Sequence, residues 1–522
     1  MKKCLDGYFS GERPVIVLAA INAKWIHPSL ALRLLKANLG DLESSCRILE
    51  FTLRQNRSDI AGSILAEQPT ILGLSVSIWN HEATLELLKT LEGKWRKPDA
   101  PEPRTKQPHI ILGGPEVSWL PDDSEIFRYA DYVIRGEGEE AFRELCGQLT
   151  GSVNSAAAVL TNTAAAENTP AIFITPILPD IAKLVSPYYL YTDEDLGSKL
   201  IYAESSRGCV FNCDFCQSSI KPQTGIVKLR EISTEKFLAD MDHLLERIVA
   251  VSRPDGKSGP VRNIKFTIKF IDRSFNINPE RAVKILDFFL KKILTGKTPF
   301  CVHFEMVPFN FTAELRERLE NFPAGSLRIE LGIQTLNPAA AALINRPGKT
   351  GEALEVLSFL VNQTKAIVHA DLIAGLPGEN MESFGRGFDR LWIALTSTGP
   401  GSLPELPAAE IQPGILKLLP GTPMTRHTAA FGMKYAARPP YEVLETSVIP
   451  AVEMDRIKNF ARFWEVIVNR NNFPDFVSSL VRGEPVFRQF MELSDRLLAK
   501  FGRNWGISRA ELRDALWLSS GS

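Results

Sequence analysis

The sequence has few cysteines, no long apolar run and almost no net charge. Its 522 residues contain seven cysteines, and 60 Lys and Arg residues balance 61 Asp and Glu residues to a net charge of −1. Without a long apolar stretch, no membrane-spanning helix is expected. The charge balance gives no indication of a nucleic-acid-binding surface. No apolar segment of a signal peptide follows Met1, so we predict a cytoplasmic protein without a disulfide scaffold.

Three of the few cysteines lie close together, as Cys209, Cys213 and Cys216, with the spacing C-x3-C-x2-C. Thiolates are the usual ligands of iron–sulfur clusters, and a [4Fe–4S] cluster normally takes four of them. Three thiolates without an obvious fourth predict a cluster with one iron open to a ligand. A structural zinc site is the alternative, but it usually needs four ligands, often as two separated pairs. Of the other cysteines, only Cys301 has a histidine nearby, His303.

The cysteine spacing, with the aromatic Phe215 before the last cysteine, resembles the radical S-adenosylmethionine (SAM) superfamily. The resemblance implies a [4Fe–4S] cluster on Cys209, Cys213 and Cys216, with the methionyl group of SAM on the open iron. It also implies reductive cleavage of SAM to a 5′-deoxyadenosyl radical. The electron donor would be a reducing protein such as flavodoxin or ferredoxin.

Upstream of the cysteines, residues 13–147 alternate short apolar runs with helical patterns. This alternation predicts an open, mostly parallel sheet, which binds ligands beyond the carboxyl ends of its strands. No G-x-G-x-x-G motif follows the first apolar run, Val15–Ala20, so the pattern does not favour a dinucleotide site.

The loops of this region, Leu74–Ser77, Gly113–Glu116 and Arg135–Glu139, resemble the cobalamin-binding domain that precedes many radical SAM barrels. No D-x-H-x-x-G motif follows the first strand, so no histidine is assured as lower ligand of cobalt. His27 either ligates cobalt, orients its loop or hydrogen-bonds the corrin edge, and the glycines also suit tight turns. The residues expected at cobalamin are Trp25, His27, Ser75, Ser77, Gly113, Gly114, Gly136 and Gly138.

The remaining chain divides by composition. Residues 148–195 are predicted to be a linker, because their first part is rich in Ala, Ser, Thr and Asn. Residues 196–425 repeat strand–helix units, which predicts a partial (β/α) barrel with its site at the carboxyl ends of the strands. Residues 426–522 follow a helical pattern. The predicted fold class is therefore α/β, with a Rossmann-like cobalamin-binding domain, a partial radical SAM barrel and a C-terminal helical region.

Polar residues at successive strand ends of the predicted barrel suit SAM. By the superfamily resemblance, Asp272 or Asn276 would bind the methionyl ammonium and Arg273 the carboxylate. Glu330 and Gln334 share one face of a predicted strand, and either of them would reach the ribose hydroxyls. A structural ion pair is the alternative for the acidic residues. The full set expected at SAM is Phe215, Asp272, Arg273, Asn276, Glu330, Gln334, Asp371 and Leu418.

Nearly the whole chain resembles an uncharacterised bacterial group of cobalamin-dependent radical SAM proteins with an additional C-terminal domain of unknown function. Because cobalamin carries a methyl group and the adenosyl radical activates an inert centre, we predict a methyltransferase acting on an unactivated centre of a small molecule or peptide, with SAM, cobalamin and the cluster as cofactors. A ring-forming or rearranging enzyme without methyl transfer, and a non-catalytic corrinoid or redox sensor, are the alternatives. A methylthiotransferase would need further clustered cysteines. The sequence names no catalytic residue.

Overall fold

The computed structural model describes residues 15–95, 107–152, 163–165, 170–220, 229–252, 266–296, 300–346, 350–396, 409–480 and 485–519. The chain divides into two compact units. The first takes the described residues up to Ile201 together with Asp242–Val251, and the second takes Tyr202–Met241 and the residues from Ser252 onward. Within the described ranges, no helix is long and apolar enough to cross a membrane.

The first unit is built on a seven-stranded sheet with the strand order β2-β1-β3-β4-β5-β7-β6, in which only the edge strand β6 is antiparallel. The strands are β1 (Ile16–Asn22), β2 (Cys46–Thr52), β3 (Ile71–Ser75), β4 (His109–Gly113), β5 (Tyr132–Ile134), β6 (Thr163–Ala165) and β7 (Ile172–Ile174). The helices are α1 (Leu30–Ala37), α2 (Arg57–Ala66), α3 (His81–Trp95), α4 (Glu139–Leu149) and α5 (Asp193–Ser198).

Strand β1 shows why the strands of this sheet are continuous apolar runs in the sequence. Val17 and Ala19 belong to the hydrophobic core on one face of the sheet, while Ile16 and Leu18 belong to the core on the other. A parallel strand covered on both faces needs apolar residues at every position. The sheet therefore has the doubly covered arrangement that the alternating pattern predicted.

Two strands lie within residues 148–195, the predicted linker. Strand β7 pairs in parallel with β5, and β6 closes that edge of the sheet by pairing with β7. The small residues of Thr163–Ala165 gave no apolar run that would have indicated a strand. Backbone pairing thus extends the sheet through a segment expected to be weakly structured.

The second unit contains a six-stranded sheet with the order β15-β14-β13-β12-β11-β8, parallel from β11 to β15. Its strands are β8 (Ile201–Ala203), β11 (Phe266–Phe270), β12 (Phe300–Met306), β13 (Leu327–Gln334), β14 (Ile367–Ala374) and β15 (Ala409–Ile415). Two small antiparallel pairs accompany it, β9 (Ser206–Arg207) with β10 (Arg230–Glu231), and β16 (Lys434–Tyr435) with β17 (Val443–Glu445).

Strict alternation along β13 and β14 separates the two faces of this sheet. Leu327, Ile329 and Leu331 are buried, whereas the intervening Glu330 and Gly332 are partly exposed. Side chains of a strand alternate between its faces, so the polar series shares one side. The helices that follow the strands are α6 (Thr234–Ser252), α7 (Pro279–Thr295), α8 (Ala313–Glu320), α9 (Pro338–Leu343), α10 (Thr350–Gln363) and α11 (Met381–Thr396).

The C-terminal region is helical, as expected, apart from the hairpin of β16 and β17. Its helices are α12 (Ala451–Trp464), α13 (Pro474–Leu480), α14 (Val486–Phe501) and α15 (Arg509–Ser519). Trp464 is fully buried and stacks on Phe460, with a distance of 5.7 Å between ring centroids. Core packing is thus the role of Trp464, whereas Trp505 is 68% exposed.

Candidate functional site

The three clustered cysteines form one wall of a cavity of about 210 Å³ in the second unit. Cys213 is buried, Cys209 and Cys216 are partly exposed, and all three are free thiols. Burial raises the pKa of both Cys209 and Cys213. The loop that carries them follows strand β9. The cavity therefore presents three thiols side by side, the donor set predicted for an iron–sulfur cluster.

Five of the residues predicted at SAM line the same cavity. Phe215 comes from the cysteine loop, Arg273 follows β11, and Gln334 ends β13, whereas Glu330 and Asp371 lie within β13 and β14. Gln334 has a left-handed backbone with φ of 71°, at an irregularity in the pairing of β13 with β14. Strained conformations of this kind concentrate at functional sites. The five residues are Phe215, Arg273, Glu330, Gln334 and Asp371.

Two carboxyl groups of the cavity have opposite electrostatic surroundings. Burial alone would raise the pKa of Glu330, but His303 and the Lys269 ammonium, 3.3 and 2.9 Å from its Oε2 atom, lower it to about 2. Burial raises the pKa of Asp371 well above its ordinary value, and the charges of Glu330 and Glu305 add to the rise. In the described part of the chain, no hydrogen bond or ion pair engages the Asp371 carboxyl. Glu330 is therefore ionised, whereas Asp371 favours its protonated form.

The other three predicted SAM residues do not line the cavity. Both oxygens of the Asp272 carboxylate accept hydrogen bonds from Ser205 and Ser206, at 2.5 to 3.0 Å. The amide of Asn276 is fully buried and bonded to the backbone of Val307 and Phe309.

Leu418 lies three residues beyond the end of strand β15 at Ile415. Its backbone N–H donates a hydrogen bond to the carbonyl of Tyr441. These side chains and this N–H thus already have partners within the protein.

The structure adds two charged residues that the sequence did not single out. Glu305 lies near the end of β12 and pairs with Arg273 at 3.4 Å. Arg346 follows α9 and donates to the Sγ atom of Cys213 at 3.7 Å and to the carbonyl of Gly332. Glu305 falls within residues 196–425, where the sequence predicted strand–helix units with polar residues at strand ends. Arg346 lies in a turn between two helices, where periodicity carries no information.

In the first unit, the loops predicted to bind cobalamin follow neighbouring strands at one sheet edge. The backbone register aligns Ala20 of β1 with Ser75 of β3, Ser75 with Gly113 of β4, and Gly113 with Ile134 of β5. The loops carrying Trp25, His27, Ser77, Gly114, Gly136 and Gly138 therefore start at the same level. The topology brings all eight predicted residues to the carboxyl edge of this sheet.

Hydrogen bonds and a close backbone approach fix these loops. Asn80, which is buried, donates to the carbonyls of Ile21 and Ser75 at 3.0 Å and accepts from the Ser77 N–H at 2.7 Å. A Cβ atom on Gly114 would lie 2.5 Å from the carbonyl oxygen of Val76, so this position requires glycine. Asn80 was not among the residues predicted at this site, and only its place after the Ser77 loop gave a signal.

Large aromatic side chains are exposed on the same loops. Trp25, Trp79 and Trp119 are 51%, 53% and 37% exposed, and they follow β1, β3 and β4. Exposed apolar surface that is concentrated at one place on a soluble domain marks a binding site. A flat, largely apolar corrin face suits these indoles, so the residues present fit the predicted cobalamin.

A buried ionic network centred on Glu50 anchors the loop that carries Trp25. Glu50 accepts a hydrogen bond from the Asn22 side chain at 3.0 Å and another from the Ser29 backbone. Its other oxygen lies 2.9 Å from Arg33. Lys199 stands 5.6 Å from the Trp25 ring centroid. Both ends of the segment from Asn22 to Ser29 are thus bonded to one carboxylate.

Comparison with protein families gives three consecutive matches. Residues 16–146 match the B12 binding domain, residues 204–391 match the Radical SAM superfamily, and residues 429–514 match a protein family of unknown function, DUF4080. The first match confirms the cobalamin-binding domain, and the second covers the cysteine loop and the strands of the cavity through β14. The cofactors are therefore cobalamin, SAM and a [4Fe–4S] cluster.

Two curated proteins are similar to part of the chain. An uncharacterised methyltransferase of Pyrococcus horikoshii is 26% identical over 184 residues, which are 34% of this chain and 36% of that protein. The cobalamin-dependent radical SAM methyltransferase TokK of Streptomyces tokunonensis is 30% identical over 162 residues, 28% of this chain and 22% of TokK. The chain thus aligns with only about a third or less of either relative.

Solved structures show the same fold at low sequence identity. The cobalamin-dependent SAM radical enzyme OxsB superposes with a TM-score of 0.64 at 15% identity, covering 98% of this chain and 75% of OxsB. The radical SAM methyltransferase TsrM of Kitasatospora setae gives a TM-score of 0.58 at 14% identity, with 85% and 81% covered. From the three family matches in this order, the chain is a cobalamin-binding radical SAM protein with an additional C-terminal domain of unknown function, as its sequence predicted.

Proposed function

We propose that the protein is a cobalamin-dependent radical SAM methyltransferase that acts on an unactivated centre of a small molecule or peptide. The observation that carries the proposal is the cavity that joins three free thiols to paired cationic and acidic side chains. Methyl transfer is favoured over other radical chemistry because both curated relatives are named methyltransferases. When bound, the cluster supplies an electron to SAM, and cobalamin supplies a carrier for the methyl group.

The cluster would be held by Cys209, Cys213 and Cys216, which leaves one iron for SAM. Two guanidinium groups, those of Arg273 and Arg346, line the cavity beside these thiols. Guanidinium groups bind carboxylates with two parallel hydrogen bonds, so they suit the methionyl carboxylate of SAM. Arg346 also contacts Cys213, which places a positive charge next to a ligand of an anionic cluster.

The two acidic residues Glu330 and Asp371 would form different hydrogen bonds with SAM. Glu330 is already bonded to Lys269 and is held in place, so it accepts hydrogen bonds from a ligand as a fixed anion. The raised pKa of Asp371 favours its protonated form, and a protonated carboxyl can donate a hydrogen bond to a hydroxyl or ring nitrogen of SAM. Gln334, with its amide at the end of β13, offers a further donor and acceptor. The chain thus orients SAM from several strand ends at once, which is how an enzyme lowers the entropic cost of reaction.

Cobalamin would lie on the carboxyl edge of the first sheet, against the exposed indoles and the glycine loops. No step is assigned to His27, which is partly buried, with its backbone N–H bonded to the Lys24 carbonyl at 3.1 Å. An electron donor such as flavodoxin or ferredoxin completes the proposal.

The first test concerns the cysteines. Anaerobically reconstituted protein should hold about four irons per chain, and with dithionite as reductant it should form 5′-deoxyadenosine from SAM. Replacing Cys209, Cys213 and Cys216 by Ala should abolish both. Cys301→Ala is the matched control, because Cys301 is a buried cysteine of the same unit that forms no disulfide and does not line the cavity. Formation of 5′-deoxyadenosine by the triple variant would overturn the cluster assignment.

The second test separates methyl transfer from other radical reactions. With methyl-labelled SAM and candidate substrates, a methyltransferase should yield labelled product, S-adenosylhomocysteine and 5′-deoxyadenosine together. One SAM molecule donates methyl in this scheme, and another generates the radical. Substrate-dependent 5′-deoxyadenosine without S-adenosylhomocysteine, with the label never leaving SAM, would contradict methyl transfer.

A further inference from the structure

The cysteine loop contains a buried carboxylate that the SAM cavity does not use. Asp214 lies between the ligands Cys213 and Cys216, and it is 1% exposed. Its Oδ2 atom lies 2.6 Å from an Arg426 nitrogen and 2.7 Å from Nε2 of His427. Its Oδ1 atom accepts a hydrogen bond from the Asn345 amide at 2.9 Å. The Arg426 Nε–H also donates to Nε2 of His427 at 3.2 Å, so the three side chains form one connected cluster.

Two separate segments thereby hold the loop. The turn after α9 contributes Asn345, and its neighbour Ile344 accepts a hydrogen bond from the Asp214 N–H at 3.0 Å. The short 3₁₀ helix Pro423–His427 contributes the other two side chains, and just before it the Pro420 carbonyl accepts from the Gln217 amide at 3.1 Å. A buried carboxylate with this many partners is costly to leave unpaired, so the loop has one preferred position.

We propose that Asp214, together with Arg426 and His427, is a positioning device for the iron–sulfur cluster, which fixes the loop of Cys213 and Cys216 and sets its local charge. The proposal rests on the proposed function, since it presupposes the cluster. Arg426 and His427 lie outside the regions matched by the Radical SAM and DUF4080 families, which end at 391 and begin at 429. The segment between these two domains thus acquires a role at the cluster.

The charges of Asp214 and Arg426 should affect the reduction potential of the cluster, which can be measured. The reduction potential of an iron–sulfur cluster depends on nearby charge, hydrogen bonding and solvent exposure. Removing the negative charge of Asp214 favours the reduced, more negative cluster and raises the potential. Removing the positive charge of Arg426 has the opposite effect. Because the Arg426 side chain is 52% exposed, solvent screens its charge, and its shift should be the smaller one.

The experiment uses the full chain with a reconstituted cluster and compares Asp214→Asn, Arg426→Gln and His427→Gln. Four quantities are measured: iron per chain, the rate of iron loss to a chelator, the cluster's midpoint potential and the unfolding temperature of the apoprotein. Glu379→Gln is the matched control, since Glu379 is 2% exposed and hydrogen-bonded to Thr335 and Ser383 but does not line the cavity.

We expect Asp214→Asn to raise the potential and Arg426→Gln to lower it, while all three loop variants lose iron several times faster than the wild type. Glu379→Gln should change neither the potential nor the rate of iron loss. Potentials that stay unchanged, or that move in the same direction in the two charge variants, would overturn the proposal. So would iron loss that follows the unfolding temperature in every variant, the control included.

The proposed function and this inference fail in different ways. A wild-type protein that binds no cluster contradicts the function, whereas a wild-type cluster that is indifferent to Asp214 contradicts only the positioning device. If Asp214→Asn does not fold, Arg426→Gln and His427→Gln decide the question, because a partly exposed arginine and a histidine-to-glutamine change disturb the core less. Unchanged iron loss in both would then refute the proposal.

Discussion

A single cavity holds one carboxyl group fixed as an anion and a second that favours its proton. Burial raises the pKa of both Glu330 and Asp371, but only Glu330 has cationic partners that outweigh this effect. Lys269 stabilises the charge of Glu330 directly, whereas the charges nearest to Asp371 are mainly negative. At the scale of the residue, this contrast leads to distinct predictions for the two groups.

For Asp371, substitution by Asn should be tolerated and substitution by Ala should not. Asn retains a neutral group that donates a hydrogen bond, as the protonated carboxyl does, whereas Ala removes it. We expect the dissociation constant of SAM to rise about tenfold in Asp371→Ala, corresponding to one lost hydrogen bond, and to change little in Asp371→Asn. Calorimetric titration of the reconstituted enzyme with SAM, without reductant, measures this. Equal weakening in the two variants would mean that the negative charge binds SAM.

For Glu330, the prediction concerns the pH dependence of stability. Its pKa is lowered from 4.5 to about 2, so its contribution to stability is complete above pH 4.5 and is lost as the pH falls towards 2. The wild type should therefore exceed Glu330→Gln by roughly 2 kcal/mol in free energy of unfolding at pH 7, and the difference should shrink at pH 3. Denaturant titrations of the apoprotein at both pH values measure it.

Glu355→Gln provides the comparison for Glu330, because Glu355 pairs with Arg316 but its side chain is 72% exposed. Its effect on stability should be small at either pH. A stability difference for Glu330→Gln that stays constant down to pH 3 would contradict a lowered pKa in the folded state.

A third residue-level prediction concerns His27. The sequence lacks the motif that supplies a lower histidine ligand to cobalt, so His27→Ala should retain hydroxocobalamin with an unchanged visible spectrum. Spectra of the variant and the wild type at equal cobalamin occupancy provide the measurement. A change in the cobalt absorption bands in the variant would show that His27 ligates the metal.

At the scale of the element, the spacing of apolar residues predicted most strands and helices. It succeeded where a helix or strand has one side buried along its whole length. The alternation predicted in residues 13–147 corresponds to the parallel strands β1–β5 and their helices, and the strand–helix repeats predicted in 196–425 correspond to β11–β15 with theirs. The short β6 and β7 were missed because a three-residue strand has no period to detect. Element type thus followed from apolar spacing, and the pairing of short segments did not.

The site was predictable only in part for a related reason. Strand order places Arg273, Gln334 and Asp371 at one edge, and all three line the cavity. The same reasoning included Asp272 and Asn276, whose side chains bond to the protein instead. A strand-end position is visible in the sequence, but which hydrogen-bond partners lie nearby depends on residues far along the chain. Arg346, in a turn, gave no signal.

The loop from Asn22 to Ser29 gives a prediction at this scale. Glu50→Ala should weaken hydroxocobalamin binding about tenfold, because it releases both ends of the loop that carries Trp25 and leaves Arg33 with one partner fewer. Titration followed by visible absorbance measures the affinity. Glu67→Ala is the control, since Glu67 pairs with the exposed Arg47 in the same unit. Equal affinities for the two variants would contradict a role of Glu50 in holding the loop.

At the scale of the whole molecule, the C-terminal helices share a core with the barrel helix α11. Phe388 of α11 contacts Phe460, Trp464 and Phe487 with centroid distances of 4.7 to 5.8 Å. One turn earlier, a Cβ atom on Gly385 would lie 2.5 Å from the Phe487 ring. The domain of unknown function is therefore packed into the second unit through aromatic side chains.

This packing predicts opposite effects for two glycine substitutions. Gly385→Ala should destabilise the protein by about 1–3 kcal/mol, because the added methyl group overpacks the aromatic core. Gly351→Ala, in helix α10 with no atom within 4 Å of the added Cβ, should be neutral or stabilising by up to about 1 kcal/mol. Denaturant unfolding of the apoproteins measures both. Similar stabilities for the two variants would show that the Phe487 ring can move away from the added methyl group without loss of stability.

The partners of Asp214 also set an order of events during synthesis. Asp214 and His427 are 213 positions apart in the chain, so the cysteine loop acquires its last anchoring side chains only after the ribosome has translated residues 423–427. Until then, the loop that receives iron and sulfide lacks this support. Cluster insertion is accordingly expected late, after the C-terminal part of the barrel has left the exit tunnel, rather than on the nascent chain.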